Sequence, residues 1–333
     1  MALLLAPYND AMRLGMGFNS FTQQLCINDA VKNSSNTSVL ESELRPEYQR
    51  GGTTVTNQPQ QLVNWTEKFV DRISEVTDSL NISGAMEIKR AGLGGSGSAR
   101  AGFIDSNKFK ESDLNYFIQV KVTNQKLVAP GLTDFCPISH ISSSDFTRVY
   151  GDSFISGFQE GGEFNALVSI KLKDRRKAKE ISGSLKIFDF NFDAKTSSVD
   201  SGEADGSKKY FDSSIDGETA ISVSWTGGGD IKDESLEEWN LETLKKIALK
   251  FPEHVMARPM RTYAILTKYS ALRNFHEREI KGSPLEYENV GMYSSTLLDA
   301  YMDYKIIWRN IQTGVFTSLY EVFHCMNVTY ITA

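Results

Sequence analysis

At 333 residues the chain is long enough for one large domain or two ordinary ones, and 40% hydrophobic with 23% charged residues is the composition of a globular protein with a sizeable core. A formal net charge of −6 argues against a duplex nucleic-acid binder, which needs a basic face to displace counterions, and against capture by anionic lipid through charge alone. No run reaches the roughly eighteen apolar residues of a membrane-spanning helix, so any insertion into a bilayer falls to strands or surface helices.

The start, MALLLAPYNDAM, carries a brief apolar run without a basic flank, so no secretory signal is expected within this numbering. The cysteines are Cys26, Cys136 and Cys325, an odd and sparse set that gives no disulfide framework and fits a reducing compartment during synthesis. A soluble protein is expected, cytoplasmic or released without a classical signal. The sequons at Asn33, Asn36, Asn64, Asn81 and Asn327 are then expected to be chance matches.

Residues 27–60 are rich in Asn, Ser, Thr, Gln and Gly and read as irregular surface chain with room for one short strand. From Gln60 to Leu80, the spacing of Leu62, Trp65, Phe69, Val70, Ile73, Val76 and Leu80 predicts an amphipathic helix. Asn81 to Phe103 reads as a strand running into a segment of small residues. Tyr116, Ile118, Val120 and Val122 alternate with Phe117, Gln119, Lys121 and Thr123, which predicts a strand. A longer strand follows Tyr150: Phe164, Ala166, Val168, Ile170 and Leu172 share one face, with Glu163, Asn165, Leu167, Ser169 and Lys171 on the other. Gly161 and Gly162 interrupt it, and paired glycines in a strand mark a bend, a bulge or a close backbone approach. After a polar stretch, Ala220 to Trp225 is another strand. A helix starting near Asp233 or Ser235 is expected to end at Pro252, with further helices at Tyr263–Phe275 and Ser295–Ile311. Leu297, Leu298, Tyr301, Tyr304 and Trp308 of the last one read as packing residues.

The box Tyr150-Gly151-Asp152-Ser153-Phe154, followed by Gly161-Gly162 and a long strand, resembles the signature of the membrane-attack-complex/perforin (MACPF) family of pore formers. Leu14, Gly15 and Gly17 resemble its N-terminal element, and Thr219 to Gly229, with Gly227 and Gly228, resembles its later glycine-ended strand. The shared order spans about residues 10 to 310, nearly the whole chain. The resemblance implies an α+β fold: a bent, twisted four-stranded antiparallel sheet flanked by helices, with two helical clusters able to become transmembrane β-hairpins. It implies a domain over 1–311 with insertions at about 84–114 and 173–218, and leaves 312–333 as a short extension too small for a separate targeting module. The family box commonly has Thr-His where this chain has Asp152 and Ser153, so no role of that pair carries over.

The second insertion offers a physical check. Phe188, Phe190 and Phe192 alternate with Asp189, Asn191 and Asp193, so an extended strand puts the rings on one side and the polar groups on the other. A barrel strand with lipid outside and water inside needs that pattern, and so does a soluble edge strand packing three phenylalanines into a core. The run is shorter than the roughly nine to eleven residues of a span, so a span would need help from its neighbours. Basic and acidic side chains balance across this insertion, and on the lipid face each Lys or Arg would cost roughly 2 to 4 kcal/mol at mid-bilayer, with Asp and Glu costing less.

Catalysis has little support. His140, His254, His276 and His324 lack metal-ligand spacing, and Gly92 to Gly97 lacks the Gly-Lys-Ser/Thr ending of a phosphate loop. Expected, then, is a pore former that is no enzyme and uses no cofactor or metal. Its partners would be membrane lipid, further copies in a membrane-bound ring and, in a two-component system, a separate membrane-recognition protein, with no nucleic acid. The alternative is a non-lytic binding or developmental protein on the same scaffold.

Overall fold

The computed structural model describes residues 4–46, 61–93, 103–142, 145–174, 176, 178, 215–231, 239–277 and 290–329. The strands are β1 (Leu4–Pro7), β2 (Gly17–Asn19), β3 (Gln24–Leu25), β4 (Val31–Lys32), β5 (Arg45–Pro46), β6 (Leu62–Phe69), β7 (Leu114–Val128), β8 (Asp134–Phe135), β9 (Ser153–Leu172), β10 (Ile215–Thr226) and β11 (Met260–Lys268). The α-helices are α1 (Ile73–Ser79), α2 (Gly84–Leu93), α3 (Ser106–Glu111), α4 (Phe146–Tyr150), α5 (Leu241–Ala257), α6 (Arg273–His276) and α7 (Val290–Thr329).

The 20-residue β9 is the spine. On one side β7 accompanies it antiparallel from Leu114↔Ile170 to Val128↔Gly157. On the other side its partner changes at the paired glycines: β11 covers Ser153 to Gly161, and β10 covers Glu163 to Leu172. Outside β7 lies β6, in register from Leu62↔Thr123 to Phe69↔Tyr116. The upper half of the molecule is therefore a four-stranded antiparallel sheet, β6-β7-β9-β10. The lower half is widened by β5 on β7, by β11 and then β1, and by β2 with β3.

Both faces of the upper sheet are covered. On one, Ile118, Val120, Phe164, Ala166 and Val168 pack with Leu244, Ile247, Ala248, Phe251 and Val255 of α5. On the other, Phe117 and Leu167 join Ile73, Val76 and Leu80 of α1, Phe109 of α3, and Leu298 and Met302 of α7. The alternation read from β9 is thus real, but its second face is buried as well, beneath helices. A third cluster, with Phe18, Phe135, Tyr150, Phe154, Phe158 and Tyr269, fills the lower half.

Several sequence expectations are corrected. Only the second half of Gln60–Leu80 is helical. Leu62–Phe69 is a strand whose inward residues are Val63, Trp65 and Phe69, paired with Val122, Val120 and Tyr116. Of the three apolar residues at helical spacing, Leu62, Trp65 and Phe69, the last two also lie on the inward face of the strand, whereas Leu62 is exposed. The strand expected after Asn81 is the helix α2, where Ser83 Oγ accepts from Met86 N at 3.1 Å and Ala85, Met86, Glu87 and Lys89 are good helix formers.

Tyr263–Phe275 begins as strand β11, whose residues Tyr263 to Leu266 are all buried and so show no period. The helix α5 starts at Leu241, capped by Asn240 Oδ1 accepting from Thr243 N at 2.9 Å, and runs past Pro252 to Ala257. Burial of Phe251 and Val255 against the sheet outweighs the backbone bond that proline removes. The last helix continues beyond Ile311, to Thr329.

Candidate functional site

The bend in β9 is built from glycine contacts. A Cβ on Gly161, whose φ is +155°, would collide with the Val122 carbonyl oxygen, so β7 approaches the backbone there too closely for any side chain. At Gly162 a Cβ would collide with Val255 of α5 and lie 3.0 Å from Thr226 O and 3.1 Å from Phe251 Cζ. Gly227 turns the chain out of β10 at φ +78°, and a Cβ on it would sit 2.6 Å from Gly161 O. Three of the glycines singled out in the sequence therefore meet at one point, where β11 gives way to β10. Gly228 N donates to Arg258 O at 2.9 Å, tying the same turn to the end of α5.

Just above the bend, the face of the sheet under α1 carries a buried polar row. Glu163, 1% exposed, accepts from Asn165 Nδ2 at 3.0 Å, from Gln119 Nε2 at 3.3 Å and from the Tyr263 hydroxyl. Lys121, its cross-strand partner, donates to Ser79 O at 2.5 Å, and Gln119 Nε2 donates to the same carbonyl at 3.2 Å. Two sheet side chains thereby hold the negative end of α1.

The helices between β6 and β7 are held from outside by α7. Asp299 accepts from Ser74 N at 3.1 Å and Ser74 Oγ at 2.6 Å, and Ser295 Oγ donates to Asp78 at 2.9 Å. A Cβ on Gly84 of α2 would collide with Ser294 O, so these two helices touch backbone to backbone. Lys110 and Glu111 of α3 pair with Asp303 and Arg309. Burial raises the Asp78 carboxyl above its usual range, with Asp299 and Glu75 adding to the shift and the Ser295 hydroxyl and Lys68 opposing it.

The remaining signature residues gather at the lower end of β9. Leu14 is buried, Gly15 N donates to Ile155 O at 2.9 Å, and Gly17 pairs with Phe154. Gly151 bridges Phe18, and the Tyr150 hydroxyl accepts from Ile138 N at 2.7 Å and donates to Cys136 O at 3.0 Å. Asp152 accepts from Ser20 N at 2.6 Å, Ser20 Oγ at 2.8 Å and Ser153 Oγ at 3.0 Å, so here it staples the segment after β2 to β9. Burial, with Asp152 second, pushes the Cys26 thiol up to about 11.

The structure brings Gly161, Gly162 and Gly227 together and sets the N-terminal glycines and Tyr150 apart from them. Phe188, Phe190 and Phe192, with most of the second insertion, lie outside the described residues. Sequence reasoning missed Lys121 and Asp299 as restraints on α1. The signal for Lys121 was there, as a charged residue at a strict alternation position of a central strand. It also took Leu297, Tyr304 and Trp308 for packing residues, whereas all three are exposed and only Leu298 is fully buried.

No protein-family model matches the chain, and no curated protein sequence matches it. Among solved structures it is similar to GNIP1Aa from Chromobacterium piscinae, with 12% identity and a TM-score of 0.43 over 87% of this chain and 56% of that one. Stonustoxin is similar at 10% identity and a TM-score of 0.40, over 90% of this chain and 35% of that one. A Bacteroides thetaiotaomicron protein with a MAC/Perforin domain is similar at 12% identity and a TM-score of 0.36, over 91% and 65%. The chain spans less than two thirds of the length of each of the three.

Proposed function

We propose that the chain is a pore-forming protein, a soluble monomer that assembles on a membrane and inserts amphipathic β-hairpins into it to form a barrel. One observation carries the reading. The strand pair β6–β7 and the strand pair β9–β10 are each interrupted at the same end of the sheet, by residues 70–113 and 173–214. Each interruption is about 40 residues, more than the roughly 20 that two spanning strands require. Extending all four strands through these segments would prolong the sheet in one direction without changing its topology. The first is wider than the 84–114 expected from the sequence, because the strand before it ends at Phe69.

Among the described residues β6 pairs only with β7 and β10 only with β9, so the sheet has two different outer edges. Head-to-tail pairing of unlike edges generates rings when the rotation closes. In this reading Gly161 and Gly162 are the hinge at which the sheet straightens, and Phe188, Phe190 and Phe192 face lipid. Among the described residues no helix is long and apolar enough to cross a membrane, and the barrel requires none. The activity is non-catalytic, and a separate recognition protein is compatible with it.

Dye release from sterol-containing liposomes, with imaging of the same samples for rings, tests the proposal. Release with rings is expected from the unaltered chain, and Phe190→Asp is expected to bind the vesicles while releasing nothing. Vesicle binding without release or rings would favour the non-lytic alternative instead.

A further inference from the structure

The helix α7 has two chemically opposite faces. Inward, Ser294, Leu298 and Met302 are buried and Asp299, Asp303 and Arg309 bond the helices α1 and α3. Outward, at about 100° per residue, Tyr293, Leu297, Tyr304, Ile307, Trp308 and Ile311 fall within one narrow arc. All six are more than half exposed, Tyr304 at 72% and Trp308 at 62%. The charged residues of this stretch, Asp299, Asp303, Lys305 and Arg309, all fall outside that arc. At about 1.5 Å per residue the stripe runs roughly 27 Å. Allowing about 150–250 Å² for each aromatic side chain, it exposes roughly 700 Å², more than the largest apolar patch of an ordinary monomer.

We propose that this stripe is a membrane-docking surface that lies in the plane of the bilayer interface. The proposal rests on the membrane-acting reading above and adds where the chain first meets lipid. Half of the stripe is tyrosine and tryptophan, whose rings have an apolar body and a polar edge and settle at the boundary between headgroups and acyl chains. A protein of net charge −6 is repelled by anionic lipid, and an uncharged stripe binds without needing attraction of charge. A helical partner, by contrast, takes its register from complementary charges flanking the seam. The flanks here are Tyr301, Gln312 and Lys305 on one side and Thr296, Asp303 and Asn310 on the other, a single charge on each, and both are already engaged within the chain, Asp303 by Lys110. Because the inner face of the same helix restrains α1, α2 and α3, docking acts on the element that holds them against the sheet.

The test is flotation on phosphatidylcholine–cholesterol vesicles at low and high salt, with dye release read in the same samples and sedimentation measured without lipid. The full chain is expected to float equally at both salts and to sediment as a monomer. Tyr304→Asp/Ile311→Asp, both at exposed positions, is expected to keep its melting temperature and to bind about tenfold less or worse. Failure of the full chain to float, flotation unchanged by the substitutions, or a dimer that they dissociate would overturn the proposal, the last assigning the stripe to a second copy. Release undiminished in the variant would remove docking and keep the pore, whereas stripe-dependent flotation with no release from the full chain would keep docking and remove the pore.

Discussion

The contact between Gly162 and α5 can be tested by a double-mutant cycle. A Cβ at position 162 would overlap Val255, which is fully buried, while Phe251 Cζ and Thr226 O stay at 3.1 and 3.0 Å. Gly162→Ala should therefore overpack the site, at about 1–3 kcal/mol. Val255→Ala removes two buried methyl-sized groups and should cost about 2 kcal/mol. The space vacated by Val255 is the space the new methyl needs, so the double variant should lose at least about 1 kcal/mol less than the two single losses added together. Urea unfolding followed by tryptophan fluorescence reads all four corners. Gly161→Ala serves as the contrast: its obstacle is the Val122 carbonyl, a backbone atom that Val255→Ala cannot move, so no rescue is expected there. Additive losses at Gly162 and Val255, within about 0.5 kcal/mol, would refute the packing argument.

Two further outcomes follow from the electrostatics. Asp78 is held above its ordinary carboxyl range, chiefly by burial, so ionising it lowers stability at neutral pH and stability is gained as pH falls through its raised value. Asp78→Asn should accordingly raise thermal stability at neutral pH and flatten the acid-side gain, as melting curves across pH 4 to 7 (roughly the ordinary carboxylate range and above) will show; a lower melting temperature for the variant at neutral pH would contradict this. Cys26, pushed up to about 11, should stay protonated and alkylate slowly at mildly alkaline pH, and Asp152→Asn should speed it by removing a neighbouring negative charge. Peptide mapping of iodoacetamide-treated protein reads both, and equal rates in the two forms would remove Asp152 as a cause.

How far the fold was legible depended on how each segment is buried. The strands β7 and β10 and the upper part of β9 announced themselves because every second residue meets the hydrophobic face under α5. Leu62–Phe69 was misread because a short edge strand offers few alternations and its apolar residues happened to fall at helical intervals. Met260–Lys268 was misread for the opposite reason, since Tyr263 to Leu266 are buried on both faces of the strand, which erases the period. The meeting of Gly161, Gly162 and Gly227 could not be foreseen from spacing, because it depends on β9 exchanging β11 for β10 at that point. Lys121 and Glu163 were visible as polar residues on a strand face, but that they lie under α1, and that α7 clasps α1 through Asp299, is tertiary information.

The most direct test of the account is a covalent staple between α1 and α7. Ser74 Oγ and Asp299 Oδ2 lie 2.6 Å apart, and a sulfur at 299 would stand near the carboxylate carbon, one bond short of Oδ2, so Ser74→Cys/Asp299→Cys, with the three native cysteines replaced by alanine, brings two thiols to within about 4 Å, a gap that a small side-chain shift closes to a disulfide. If residues 70–113 must leave α7 and the sheet to enter the bilayer, the oxidised variant will bind liposomes and release no dye, and reduction will restore release to the level of the unstapled background. Equal release from the oxidised and reduced forms, with the disulfide confirmed by mass, would show that this segment stays in place and would contradict the account.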